Sequence, residues 1–415
     1  MEAYANALLI AIPAFMVLML TELIYGYATG KQTYVLMDTI SSLSSGLTNI
    51  LKDTLGLVVI LISYPWLSQQ LVITQIEADL WLYLTAFICI DFASYWSHRL
   101  NHKINFFWNQ HIIHHSSEEF NMACALRQSI SNILGYGALF LIPAAVLGIP
   151  QEVIALLAPL HLFGQFWYHT QHIGKLGWLE YIIVTPSQHR VHHAINPIYI
   201  DKNLSAIFCV WDRMFGTFQE ELDDEPPVYG VLKPVQSWNP LWINFQHLWG
   251  LALDAWHTKR WVDKFRLWFM PTGWRPDDVK QSHPKTLITD VTQQQKYAPH
   301  YKRSLAYWAM FHFVSILGLL LLLLYHFGDF AAFDTLAIGL ALFAAIFGYT
   351  SVMDLYKWSV AFEWSRIAVT FIVLQWAMVT IIPTIYWAWM GYLMISVVGL
   401  VNVFGRGRML MQTES

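Results

Sequence analysis

The run LWLYLTAFICIDFASYWSHRLNHKINFFWNQHIIHH, residues 80–115, decides how the rest of the chain is read. Residues 80–97 are apolar apart from Asp91 and a few hydroxyls. As a helix they extend about 27 Å, close to the thickness of a bilayer's hydrocarbon. The apolar stretch runs straight into histidines. His98 and His102 form an HxxxH group, and His111, His114 and His115 form HxxHH. A membrane span that ends in an imidazole array predicts a metal site at the membrane face.

The rest of the chain agrees with that reading. Of its 415 residues 56% are hydrophobic and 13% charged, and the mean hydropathy is +0.41. A water-soluble protein carries about a quarter charged residues. Twenty Trp and twenty Tyr suit the headgroup zone. The net charge is −4 without a basic run, which argues against a nucleic-acid partner. Cys89, Cys124 and Cys209 form no CxxC, so neither a disulfide framework nor a thiolate zinc site is indicated. The opening MEAYANALLI lacks the basic stretch of a signal peptide and reads as part of a retained first span.

Apolar stretches of spanning length fall near 7–27, 54–74, 80–97, 129–148 and 151–170, then near 305–326, 332–352, 367–387 and 388–404. Pro65 and Pro143 are expected to kink their spans. The fold class expected is all-α: a polytopic helical integral membrane protein with a cytoplasmic histidine-rich cap holding a dinuclear metal site. Residues 1–220 read as the membrane-bound core, 221–303 as a cap or linker, and 304–415 as a C-terminal transmembrane bundle. Threading nine spans with the N-terminus outside puts all 24 Lys and Arg on one side, including Lys31, Lys52, Arg99, Lys103, Arg127, Lys357, Arg366, Arg406 and Arg408. By the positive-inside rule that side, with the histidines and the C-terminus, is cytoplasmic.

A second HxxHH stands at His189, His192 and His193. On a helix, positions i, i+3 and i+4 share a face, so each group is able to aim its rings at one point. One structural zinc needs four ligands; eight histidines suit two ions with open positions. His169 is the best ninth ligand, while His161 and His172 read as packing or outer-shell residues. Asp91 lies seven residues before His98, where a carboxylate is able to orient His98 or His102 through the second ring nitrogen. Glu118 and Asn121 read as outer-shell or substrate contacts, against the plainer reading of a solvated helix start with Glu119. Asp201, Lys202, Asn203, Asp212 and Arg213 read as cap architecture rather than catalysis. Lone histidines such as His247, His257, His283, His300, His312 and His326 read as ordinary hydrogen-bonded or solvated residues.

The three groups resemble the signature of the fatty acid hydroxylase/sterol desaturase superfamily of membrane di-iron enzymes. The runs SHRLNHKINFFWNQHIIHHSSEEFNMACALRQS (97–129), QFWYHTQHIGKLGWLE (165–180), TPSQHRVHHAINPIYIDKN (185–203) and WDRMFGTF (211–218) are similar to its alkylglycerol monooxygenase branch. The sequence departs from that branch at Lys103, where the pattern has Glu, at Ala194 after the HH pair, and at Leu204-Ser205-Ala206, where it has glycines. The resemblance implies two iron ions, with zinc able to replace them in recombinant material. It further implies O2 as co-substrate, a lipid substrate from the bilayer, hydroxylation of an ether-bearing carbon, and tetrahydrobiopterin as reductant. No pterin site is legible in the residues themselves.

No nucleophilic triad is present, and none is needed if a metal carries the chemistry. Two rival readings stand beside this one. The first is a sterol or fatty-acyl desaturase/hydroxylase fed by a ferredoxin or cytochrome. The other is a metal transporter or zinc-binding scaffold, which would place its ligands near the bilayer midplane rather than at the end of a span.

Overall fold

The computed structural model describes residues 2–77, 79–377 and 383–404. Among the described residues, five helices are long and apolar enough to cross a membrane: Tyr4–Thr29, Leu80–Lys103, Arg303–Tyr325, Ala332–Met353 and Ile385–Asn402. They contain or overlap the expected spans 7–27, 80–97, 305–326, 332–352 and 388–404. The expected span 367–387 covers the end of helix Ser359–Ala377 and the start of helix Pro383–Phe404; residues 378–382, with Arg406 and Arg408, lie outside the described residues.

Three expected spans are not continuous helices. Residues 54–74 contain a two-residue strand, Val59–Ile60, and the short helix Tyr64–Leu71. Residues 129–148 contain Leu134–Gly135, a 3-10 turn and the five-residue helix Ile142–Val146. Residues 151–170 form a thirteen-residue helix, Gln151–Phe163, and then leave it. The reason lies in the prolines. Pro65 and Pro143 sit in the first turn of their helices, where a missing N–H costs nothing and the fixed φ favours a start. They begin short helices instead of kinking long ones. Val59–Ile60 pairs in parallel with Leu134–Gly135, and the Tyr64 hydroxyl donates to the Ile149 carbonyl (2.7 Å). Gly148, at φ +65, sits where a Cβ would lie 2.2 Å from the Thr74 carbonyl oxygen. These broken elements pack on the first half of helix Leu80–Lys103 through Leu82, Ala86, Cys89 and Ile90.

One helix was not expected. Leu36–Thr54, LMDTISSLSSGLTNILKDT, is too polar to resemble a span, yet Ser41, Ser42, Ser44, Ser45 and Thr48 are all buried. Most of these hydroxyls find partners: Ser44 bonds the Ile40 carbonyl and the Tyr349 hydroxyl, and Ser45 donates to the Gln128 carbonyl, whereas Ser41 Oγ is buried without one. Small hydroxyl side chains let neighbouring helices approach closely, and this helix shares one hydrophobic core with the first and the C-terminal helices. Asp53 accepts from the hydroxyl of Tyr4, while Asn121 donates to the Thr33 carbonyl near the histidines. Lys52 therefore lies at the end of the bundle away from the histidines, and it leaves the one-sided map of basic residues.

Helix Leu80–Lys103 carries the first histidine group. Asp79 caps it by accepting from the Trp81 and Leu82 N–H groups, and it ends where Ile104 turns extended and bridges Pro271. Its last two turns present His98 and His102.

Candidate metal centre

Nine histidines converge around the end of that helix, His98 and His102 from within it. They form two sets in which the ligating nitrogens lie within 4.8 Å of one another: His98, His102, His111, His115 and His192 in one, and His114, His169, His189 and His193 in the other. The eight clustered histidines singled out in the sequence are all here, and His169 is the ninth.

Each HxxHH group is split rather than aimed at one point. His111 and His115 join the first set while His114 joins the second; His189 and His193 join the second while His192 joins the first. On a helical turn, positions i and i+4 stack on one line and i+3 falls to its side. The two motifs present that pattern to each other in reverse, so neighbouring residues feed neighbouring sets. The sets touch through His115 and His193, whose rings stack with centroids 4.4 Å apart.

The second ring nitrogens fix how the imidazoles face. His98 Nδ1 donates to the Leu204 carbonyl (2.7 Å), His114 Nδ1 to Arg127 (3.3 Å), His169 Nδ1 to Gln165 (3.0 Å) and His192 Nδ1 to Lys202 (3.0 Å). His102 Nδ1 donates to the Asp201 carboxylate (3.3 Å). A carbonyl acceptor requires the proton on Nδ1, which leaves the Nε2 lone pair free. The Nε2 atoms of His102, His115 and His192 are buried and lack any hydrogen-bond partner. Those of His98 and His111 face each other at 2.8 Å, as do those of His169 and His189. Burial, then the neighbouring imidazoles, hold His111, His115, His189, His192 and His193 well below their usual pKa. Burial likewise lowers His114 and His169 to about 3. Neutral rings with converging, unpaired lone pairs are the form that binds a metal ion. The donor set, all imidazole, suits iron, zinc or copper.

Around the rings, the structure reassigns several expected roles. Asp91 does not touch His98 or His102. Its two oxygens accept from His161 Nε2 (2.7 Å), the Ile207 and Phe208 N–H groups (2.9 and 3.0 Å) and Trp211 Nε1 (2.8 Å). It thereby ties the middle of helix Leu80–Lys103 to helix Gln151–Phe163 and to the loop before Trp211. His161 belongs to that tie, and His172 packs edge-on against Tyr25; neither is in a histidine set. Glu118 accepts from the Tyr297 N–H (2.5 Å), and Asn121 holds the Thr33 carbonyl and the Ala123 N–H. Both join segments rather than reaching the rings. His247 bonds the Asn105 carbonyl and His312 the Tyr392 hydroxyl, as ordinary histidines do.

The segment Asp201–Leu204 does reach the rings. It supplies the acceptors for three imidazoles of the first set: the Asp201 side chain and the Lys202 and Leu204 carbonyls. Asp201 and Asn203 adopt φ of +58 and +52, a conformation that Asp and Asn tolerate better than most residues. Asn203 Nδ2 donates to the Gln188 and Gln219 carbonyls, and Asp212 receives the Leu204 and Ser205 N–H groups. Lys103 bonds Asp201 at 2.7 Å, so a carboxylate stands beside His102 although the residue after the HxxxH group is a lysine. On the second set, the Arg127 carbonyl holds His114. The fully buried Arg127 guanidinium is fixed by Asp38 (2.5 Å), Ser42 (2.9 Å) and Ser116 (2.7 Å). Nothing in the local sequence marks Arg127 for this role, because the atom that touches the ring is backbone.

Fold and site together define a helical integral membrane protein with a buried polyhistidine centre. The fatty acid hydroxylase family profile matches residues 83–217, the segment that carries all nine histidines. The chain is 37% identical to the alkylglycerol monooxygenase of Homo sapiens over 268 residues, 64% of this chain and 59% of that protein. It is 34% identical to that of Xenopus tropicalis over 306 residues, 73% of this chain and 68% of the relative. With the Danio rerio enzyme it shares 34% identity over 70% of this chain and 64% of the relative. This chain thus belongs to the fatty acid hydroxylase family, on its alkylglycerol monooxygenase branch. It spans less than two thirds of the human and zebrafish relatives. No solved structure matches it.

Proposed function

We propose that this protein is an O2-dependent lipid monooxygenase that binds two iron ions, one in each histidine set, and hydroxylates the ether-bearing carbon of an alkylglycerol-type lipid. The observation that carries the reading is the division of nine neutral imidazoles, six of them buried and three partly buried, into two adjacent sets at the end of a membrane helix. Five and four ligands exceed what one ion takes, and a scaffold zinc needs only four. Position favours a lipid: the site begins where helix Leu80–Lys103 leaves the bilayer, within reach of a headgroup-proximal carbon.

Bound there, ferrous iron supplies the activation of O2 and the electron transfer that puts one oxygen atom into a C–H bond. The protein's own part is to hold, orient and enclose. His98, His102, His111, His115 and His192 would hold the first ion, and His114, His169, His189 and His193 the second. Asp201, Lys202, Leu204 and the Arg127 carbonyl fix the rings, and Phe120 and Trp108 pack against them and exclude water. Hydroxylation at an ether carbon leaves a hemiacetal, which collapses to an aldehyde and a glycerol. The second oxygen atom of O2 requires two further electrons, for which a tetrahydropterin or a small redox protein is the expected donor. We place the histidine face and the 221–303 cap on the cytoplasmic side, where such donors are found.

Lipid analysis of membranes with and without the protein, under air and under argon, tests the reading. Ether lipid should be consumed and fatty aldehyde formed only with protein and O2 present. Accumulation of an unsaturated or ring-hydroxylated lipid in its place would move the protein to desaturase or sterol chemistry.

A further inference from the structure

Helix Pro240–His257 turns Ile243, Asn244, Leu251 and Asp254 inward. On its other side Trp242, Phe245, Trp249, Leu253 and Trp256 stand exposed, Trp249 at 56% and Trp256 at 80%. At 100° per residue these five fall in one stripe opposite the buried residues. Beyond the helix the apolar surface continues through Trp261, Val262, Phe265 and Phe269, each at least 65% exposed. Lys259, Arg260, Lys264 and Arg266 are interspersed. The segment's carboxylates are buried and paired, Asp254 with Arg275 and Lys285 and Asp263 with Arg260 and Arg266.

Both ends of this segment are fastened to the ends of membrane helices. At one end Asp354, next to the last residue of helix Ala332–Met353, accepts from the Trp238 N–H (2.7 Å) and the Ser237 hydroxyl (2.5 Å). Asn239 Nδ2 also donates to Ser351 Oγ in that helix (2.7 Å). At the other end the exit of helix Leu80–Lys103 is stitched to residues 268–272. Asn105 N–H donates to the Met270 carbonyl (3.0 Å) and Phe106 N–H to Trp268 (2.9 Å), and the Thr272 hydroxyl donates to the His102 carbonyl (2.6 Å). A segment tied at each end to a helix exit runs along the bilayer surface.

We propose that Pro240–His257 and the turn through Phe269 form an in-plane anchor, seated among the headgroups and upper acyl chains of the bilayer that the spans cross. Trp, Phe and Leu on one face of a surface helix are what that zone takes up, and an aromatic stripe of this length is too large to be incidental surface. Of the four cations, Arg260 and Arg266 pair with Asp263 and Lys264 donates to the Ala255 and Trp256 carbonyls; exposed Lys259 is placed to meet a lipid phosphate. Because Thr272 holds the His102 carbonyl, the anchor sets the depth of the first histidine set relative to the lipid. The inference does not depend on the reaction proposed above.

Nitroxide labels on the full-length protein in lipid nanodiscs test it. The natural Cys89, Cys124 and Cys209 are buried, so Trp249→Cys and Val262→Cys can be labelled singly. Trp256→Cys serves if W249C fails to accumulate. Asp277→Cys, on the exposed helix Asp277–Ser282, is the aqueous reference. Collision rates are then measured with O2, which concentrates in lipid, and with a water-soluble nickel chelate. The expected result is O2 dominating at 249 and 262 and nickel dominating at 277. Nickel-dominated collisions at 249 and 262 would overturn the proposal by placing the stripe in water. Exclusion of both reagents there would also overturn it, in favour of a second copy or another protein covering the face.

Discussion

At the scale of single residues, each HxxHH group places imidazoles at i, i+3 and i+4 and divides them between two sets. Eight of the nine histidines were visible from spacing, and His169 from its place between two groups. What spacing does not carry is where each ring turns. The division of His111 and His115 from His114, and of His189 and His193 from His192, depends on the tertiary meeting of two short turns. It leads to a sharper expectation than loss of activity. His111→Ala and His189→Ala should each abolish O2-dependent product and lower bound iron from about two ions per chain to about one, from different sets. Metal analysis beside turnover measures this, with His283→Ala and His300→Ala as controls. His283 stacks on His257 at the surface, and both controls should stay within about 0.5 kcal/mol of wild-type stability. The brace residues were not legible, since carbonyl acceptors have no sequence signature. Asp201 is the exception that mutation reaches. Asp201→Asn should weaken metal binding roughly 10–100-fold, the usual cost of losing a carboxylate behind a ligating histidine. Competition with a chelator reads it directly, and unchanged affinity would reduce Asp201 to a partner of Lys103.

Among elements, the strongly apolar helices declared themselves and the interrupted ones did not. Hydropathy sums composition over a window and is indifferent to a Pro at a first turn or a Gly at φ +65, which is why 54–74 and 129–148 pass for spans. The opposite error is Leu36–Thr54, where serines that look solvent-bound are buried against Tyr349 and Gln128. Asp354 offers a test of how these elements are clasped. Burial raises its pKa to about 6, and it joins the end of helix Ala332–Met353 to Ser237, Trp238 and Tyr297. The folded state thus holds a proton that the unfolded chain releases near pH 4. This group's contribution is full below about pH 4 and declines as pH rises through 6, by at most about 3 kcal/mol. The unfolding temperature of wild type should therefore drop between pH 5 and pH 7.5 by more than that of Asp354→Asn, which has no such proton to lose. Equal drops would mean that other groups govern this range.

For the molecule as a whole, the membrane character and helical class followed from composition, whereas the path of the chain did not. Nine threaded spans placed every basic residue on one side. With Lys52 at the far end of the bundle and three spans broken, that unanimity fails, but the cap still holds 11 of the 24 Lys and Arg. The cytoplasmic orientation proposed for the cap is checked by labelling Asp277→Cys with a membrane-impermeant maleimide. Intact cells should protect the thiol, and inverted membranes should expose it. Reaction in intact cells would place the histidine face outside and remove cytosolic reductants from consideration.

The crossing of ligands between the two histidine sets has a further consequence for how the centre fills. His114 and His115 are consecutive, as are His192 and His193, so the backbone that would present a ligand to one ion would also present a ligand to the other. Consecutive Cα atoms stand 3.80 Å apart whatever the side chains do. An ion captured by His115 and His192 would freeze the φ and ψ angles of both pairs. The ordering entropy that His114 and His193 would otherwise lose is then already spent before the second ion arrives. Metal uptake should therefore be cooperative. At half an equivalent of iron per site, native mass spectrometry should find empty and doubly loaded chains in excess over singly loaded ones. A population dominated by one-ion chains would show that the two sets fill independently.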